Sequence, residues 1–224
     1  LAGFGFLERS GQQYHWKNEG YSTFQDFLDA LSSRKRKNIR KERQAVVDQG
    51  VAMHILTGPD LKSEHWDAFY RFYRNTTDRK WGWDYLKRPF FSLLHERMAD
   101  RVALVMAEFE GEWVAGALNL IGGDTLYGRN WGCAARFKNL HFEACYYQAI
   151  DFAIERGLAR VEAGAQGQHK IQRGYLPVET RSAHFIPDPN FRRAVADFLE
   201  REREAVGEEI AFLADNLSPF RKSQ

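Results

Sequence analysis

Val102-Ala-Leu-Val-Met-Ala-Glu-Phe-Glu-Gly-Glu-Trp-Val-Ala-Gly-Ala-Leu-Asn-Leu-Ile-Gly-Gly-Asp-Thr-Leu-Tyr-Gly-Arg-Asn-Trp-Gly132 is the stretch that decides the fold. It reads as three strands, Val102–Phe109, Trp113–Leu120 and Thr125–Gly132, separated by hairpin-like turns. Glu110-Gly-Glu112 and Gly122-Gly-Asp124 join them with the glycine and acidic residues that tight hairpins favour. Downstream the period changes. Phe142, Cys145/Tyr146, Ala149/Ile150 and Ala153 form a helical stripe over 141–155, and Gly157 ends it. A strand at 158–163, a polar loop, a strand near 180–186 and a charged helix over 190–214 complete that side. Upstream, residues 12–17 suit a short strand. Ser22 or Thr23 caps a helix whose apolar face is Phe24, Phe27, Leu28 and Leu31. A very basic helix runs from Ser32 to the stop at Gly50, followed by a strand over Val51–Leu56. Gly58-Pro-Asp60 leads to a helix carrying Trp66, Phe69, Tyr70 and Phe72, and Pro89 opens another that ends near Asp100. Helices, then a β-meander, then β-α-β predict a mixed α/β sheet flanked by helices.

The 224 residues suit one large domain with attachments, and 44% hydrophobic residues supply a core. Thirty-two basic against 30 acidic residues leave a net charge of +2, so any anion-binding surface must be local. Cys133 and Cys145 lack metal-ligand spacing, and no zinc site is expected. No apolar run approaches the roughly 18 residues of a membrane span, and no secretory signal is visible, so the expected location is cytoplasmic. Gly3-Phe-Gly-Phe-Leu7 reads like the end of something longer. The expected divisions are residues 1–20 as a preceding tail or N-terminal strand, 21–187 as the main domain, and 188–224 as a charged helix and tail. The oligomeric state is left open.

The loop Glu162-Ala-Gly-Ala-Gln-Gly-Gln-His-Lys-Ile-Gln-Arg-Gly174 has one large apolar side chain, Ile171, so packing alone does not explain it. Glu162, at a strand end, and His169, within the loop, are candidate acid-base groups; their plainer readings are a salt bridge and a solvated loop residue. Glu143, one turn into the central helix, is a third candidate, its plainer reading a carboxylate at a helix N-terminus. Lys170 and Arg173, three apart, suit a phosphate or carboxylate if the loop turns helical, and otherwise are two solvated cations. Arg129 and Trp131 fall on one face of an alternating strand and Asn130 on the other. Asn139 suits a helix cap. Cys145, on the apolar stripe, is expected buried and inert. Arg34–Arg43 holds seven cations in ten positions. Charge wraps that helix, so some cations must face the core or a partner such as tRNA, lipid-linked phosphate or an acidic protein. Trp81, Trp83 and Tyr85 form an aromatic group suited to core packing or to a lid over a sugar or peptide.

The order of elements resembles the GNAT (N-acetyltransferase) fold. Arg36-Lys-Asn-Ile-Arg-Lys41 with Gly50-Val51, Trp81-Gly-Trp-Asp-Tyr85, Tyr127-Gly-Arg-Asn-Trp-Gly132, the helix from His141, and Gly164-Ala-Gln-Gly-Gln-His-Lys170 resemble the FemAB-like family of peptidoglycan biosynthesis or recognition proteins. The resemblance covers about residues 12–187. It implies an acyl- or aminoacyltransferase that forms an amide on an amine acceptor, and a chain that is the second of two GNAT-like halves. The expected substrate-binding residues are Arg129, Trp131, His141, Tyr147, Gln166, Lys170 and Arg173, with carbonyl-polarising amides from Gly164–Gly167. The resemblance implies a peptidoglycan-precursor acceptor and an aminoacyl-tRNA or acyl-CoA donor, with tRNA meeting Arg34–Arg43. One departure weighs against CoA. Acetyl-CoA enzymes of this fold bind pyrophosphate on a glycine-rich loop, but Ala134-Ala-Arg-Phe-Lys-Asn-Leu-His141 has no glycine, leaving Arg136 and Lys138 to hold phosphate by side chain. An acetyl-CoA-dependent N-acetyltransferase and a non-catalytic GNAT-fold recognition protein are the alternatives.

Overall fold

The computed structural model describes residues 2–80 and 84–221. In chain order these form β1 (Leu7–Lys17), α1 (Phe24–Ala30), α2 (Ser33–Val47), β2 (Ala52–Leu56), α3 (Ser63–Lys80), α4 (Arg88–Met98), β3 (Val102–Phe109), β4 (Glu112–Gly122), β5 (Thr125–Cys133), α5 (Leu140–Phe142), α6 (Gln148–Glu155), β6 (Arg160–Glu162), β7 (Leu176–His184) and α7 (Pro189–Leu217). They divide into two compact units: Leu1–His15 with Gly164–Phe220, and Trp16–Ala163 with Arg221–Gln224.

In the larger unit β2, β3, β4 and β5 follow one another antiparallel, and β6 joins β5 in parallel. The hairpins close at Glu110-Gly111 and Gly123, all with positive φ. The mixed sheet with flanking helices is the GNAT-like order read from the sequence: a meander, a helix, then a parallel strand. Six successive residues of β3, Val102–Ala107, are buried, because helices cover both faces. Leu104, Met106 and Leu118 pack with Trp66, Phe69 and Phe72 of α3 and Phe91 of α4. Each such side chain contributes about 1.5–3 kcal/mol of burial. On the other face Ala107 and Ala115 meet Val46 of α2 and Leu140, and Val105 and Ala117 meet Ala144. Gly132 sets how closely α3 lies on β5, since a Cβ there would stand 2.2 Å from the Phe72 carbonyl oxygen.

α1 starts with a capping box. Asp26 N–H donates to Thr23 Oγ1 at 3.1 Å, and Thr23 N–H donates to Asp26 Oδ2 at 2.9 Å. α5 and α6 form one helical run joined by a π-turn, Glu143–Tyr147, rather than the uniform α-helix expected from 141 to 155.

In the smaller unit β1 and β7 pair antiparallel from Leu7↔His184 to His15↔Leu176. Both strands are longer than their sequence patterns suggested. The reason is cross-strand partnering, including Ser10 Oγ donating to Glu179 Oε1 at 2.6 Å. α7 is capped by Asp188, which accepts from the Asn190 and Phe191 amides, and Leu199 and Leu213 are its buried residues. Arg9 grips Glu202 with two bonds of 2.8 and 2.7 Å.

Candidate functional site

The central helical run carries the best-built polar cluster of the larger unit. Glu143 is 4% exposed, and its Oε1 accepts from Arg43 Nη2 at 3.0 Å and Gln148 Nε2 at 2.7 Å. The same Arg43 nitrogen reaches Asp151 Oδ2 at 2.6 Å, and the guanidinium lies 4.4 Å from the Phe24 ring centroid. Tyr147 Oη donates to Glu42. Glu143 Oε2 is buried with no hydrogen-bond partner. Burial works against the Arg43 charge, but Glu143 and Asp151 outweigh it and hold the guanidinium above its usual value. Burial raises the Asp151 carboxyl, with Arg43 pulling the other way. The π-turn places Glu143 and Tyr147 in one widened helical turn, a local irregularity frequent at functional sites.

His141 packs edge-on to Trp131, 5.3 Å between centroids, and to Tyr146 at 5.4 Å, so two of the expected substrate-contacting residues do come together. Arg129 is exposed, and the alternation expected around it does not hold. Leu118 pairs with Asn130 and Asn119 with Gly128, leaving Arg129 as the extra residue of a bulge. Arg136 and Lys138 are exposed on the connection to α5. That connection is pinned by Gln49, which accepts from the Lys138 amide at 2.8 Å and donates to its carbonyl at 3.0 Å. Asn139 makes no side-chain cap. It takes the left-handed conformation, φ 64°, that asparagine tolerates best after glycine, and so makes the turn without glycine. Cys145 is half-buried rather than buried. Glu162 is half-buried, 3.6 Å from Arg160 Nε.

In the smaller unit the polar loop does turn helical, as a 3-10 turn over Gln168–Arg173. Lys170 and Arg173 are not solvated. They are 5% and 7% exposed, with Lys170 Nζ donating to the Gly164 carbonyl at 3.3 Å and Arg173 Nη1 to the His169 carbonyl at 2.8 Å. Lys170 also sits 5.6 Å from the Tyr14 ring centroid. His169 and Gln166 are exposed. The His169 ring lies against Gly167, where a Cβ would stand 2.5 Å from Cε1, and Gly167 has φ 97°. The positive φ favours glycine there, and the absence of a Cβ lets the His169 ring lie close.

The basic helix α2 turns Ile39 and Val46 inward and fixes Arg43 in the cluster, which answers where some of its cations go. Arg36 reaches Asp29 at 2.6 Å and Arg40 reaches Gln25 at 2.9 Å. Trp81 and Trp83 lie outside the described residues, and Tyr85 is 70% exposed. Sequence reasoning missed Glu42, Gln148 and Asp151. Only Asp151, eight residues after Glu143, stood at helical spacing from a candidate residue; Glu42 adjoins Arg43, and Gln148 lies five residues from Glu143, a separation that only the π-turn brings together.

A meander feeding a central helical run and a parallel strand, with a polar cluster on that run, makes this a mixed α/β protein. The chain belongs to the FemAB-like family, described as peptidoglycan biosynthesis/recognition, which matches residues 1–222. Its fold is similar to that of L-PGS from Bacillus licheniformis (TM-score 0.62, 12% identity, 88% of this chain and 68% of that one). It is similar also to FemX (0.60, 13%, 86% and 69%). A third likeness is to the C-terminal DUF2156 domain of an Agrobacterium fabrum protein assigned as a lysylphosphatidylglycerol synthetase (0.62, 8%, 89% and 67%). No curated protein sequence matches the chain. Among the described residues no helix is long and apolar enough to cross a membrane.

Proposed function

We propose that this protein is an acyl- or aminoacyltransferase that forms an amide on an amine-bearing peptidoglycan precursor. The observation that carries this reading is the family match over residues 1–222, supported by a fold held in common with FemX. At neutral pH the acceptor amine arrives as an ammonium and must lose a proton before it attacks the donor carbonyl. The tetrahedral intermediate then expels its oxygen or sulfur leaving group, which needs a proton. Glu162 and His169 are the residues proposed for these transfers. Glu162 is half-buried with a cation beside it, and His169 is exposed with its ring lying against Gly167. Lys170 and Arg173 act by shaping the loop that carries His169, through their bonds to its carbonyls. Glu143, held by Arg43, orders the central helix beside His141 and Trp131, where the acceptor is proposed to lie, with exposed Arg129 contributing a cation for an anionic group. The donor is an aminoacyl ester carried by tRNA. The glycine-free connection before α5, with only exposed Arg136 and Lys138 to offer a pyrophosphate, is the observation that disfavours CoA.

The test is a transfer assay with aminoacyl-tRNA and, separately, acetyl-CoA, using an amine-bearing peptidoglycan precursor as acceptor. Product is expected from the tRNA donor. Glu162→Gln and His169→Ala should each lower turnover at least about tenfold at unchanged stability, the low end of what a positioned acid or base supplies. Product from acetyl-CoA alone, or wild-type rates in both variants, sinks the respective assignment.

A further inference from the structure

We propose that the outer face of α2 docks on an anionic lipid bilayer, independently of whether the chain transfers acyl groups. The rotation of α2 about its axis is fixed. Ile39 and Val46 are 1% exposed, and Arg43 is tied to Glu143 and Asp151, so the opposite stripe must face outward. That stripe is the exposed Ser33, Lys37, Arg40, Lys41 and Gln44 with half-buried Arg36 at its edge, together lining a shallow concavity of about 610 Å³. Its members recur at the three- and four-residue spacing that stacks side chains on one helix face, over roughly 16 Å of helix. Among the described residues Lys37 and Lys41 have no ion-pair partner, while Arg36 and Arg40 are held in place by Asp29 and Gln25. Val47, seven residues after Arg40 on the same stripe and 63% exposed, adds a small apolar contact.

Three exposed cations, with the partly covered Arg36 beside them, on one stripe of a polar helix have the composition that attracts acidic headgroups. The chain's net charge of +2 adds little, since charges beyond about 8 Å are screened at physiological salt, so the attraction belongs to this stripe. Phosphates of nucleic acid share the headgroup chemistry. The stripe nevertheless holds no aromatic residue on which a base could stack, and it is shallow rather than a groove that tracks a strand. Lipids move laterally and gather under any cation spacing, which suits an open face.

The experiment is co-sedimentation of the full chain with vesicles of phosphatidylglycerol and phosphatidylcholine, against vesicles of phosphatidylcholine alone. Binding is expected only with the anionic lipid, weakening about fivefold for each lysine lost and so about 25-fold in Lys37→Gln/Lys41→Gln. A matched pair elsewhere, Lys62→Gln/Arg71→Gln, should change it less than about twofold. A third arm titrates a short RNA duplex at the same salt. No anionic-vesicle binding, equal binding to both lipids, equal loss in both double variants, or tighter binding to the duplex that is lost in Lys37→Gln/Lys41→Gln would each overturn the proposal.

Discussion

Arg43 is the residue on which the larger unit's polar cluster turns. One guanidinium nitrogen serves two carboxylates, so its removal leaves buried Glu143 and half-buried Asp151 near each other with no cation between them. Arg43→Met should lower the unfolding free energy by about 3 kcal/mol, the low end for breaking a buried pair because the arginine side chain is 26% exposed. Urea titration measures this; a loss below about 1 kcal/mol would mean that solvent screens the pair. The raised Asp151 carboxyl gives a second test with a definite sign. Its folded pKa lies above the unfolded one, so the folded state holds the extra proton between the two. The associated stability is complete below the unfolded value and lost as pH rises through the folded one. The stability of wild type relative to Asp151→Asn should therefore fall as pH rises across the carboxylate range and level off above it. A difference that grows with pH would reverse the assignment. None of this was legible as pairing, because Arg43 lies 100 and 108 residues from its carboxylates. The sequence showed only that a helix charged on every side must turn some cations inward.

Local chemistry was legible at the scale of elements wherever a start or stop is made by neighbours in sequence. Thr23 and Asp26 declare the start of α1 within four residues, and Thr23→Ala should cost about 1 kcal/mol in the same titration. Gly50 and Gly157 stop their helices with positive φ, as their positions implied. Two features of the candidate site were hidden for one reason: a periodic pattern assumes that the period holds. The bulge at Arg129 breaks the two-residue alternation of β5, and the π-turn at Glu143–Tyr147 breaks the helical period. Nothing along the chain marks Gly132, yet it permits the contact of α3 with β5. Gly132→Ala should destabilise by about 3 kcal/mol or more, since the obstacle is backbone and cannot rotate away. A mild effect in thermal or urea unfolding would show that α3 shifts freely.

On the scale of the whole molecule the chain returns to its beginning: residues 1–15 are completed by 164–220. β7 has β1 as partner along nine registered pairs. Deleting residues 1–12 should therefore abolish hydrogen-exchange protection of the β7 amides from Glu179 to His184 while the amides of β3, β4 and β5 stay protected. Protection of those β7 amides surviving the deletion would mean that β1 is dispensable to them. By itself the sequence determined the order of elements, the meander, the helix caps, the mixed α/β class and the family resemblance, since all of these rest on periodicity, turn chemistry and short motifs. Only the tertiary structure decided that Lys170 and Arg173 are buried against their own loop and that Asn139 makes the turn where glycine was missed. It alone set which cations of α2 face inward and which face solvent. Those outcomes depend on where distant segments pack and on which buried polar groups find partners there, and residue spacing along the chain carries no record of either.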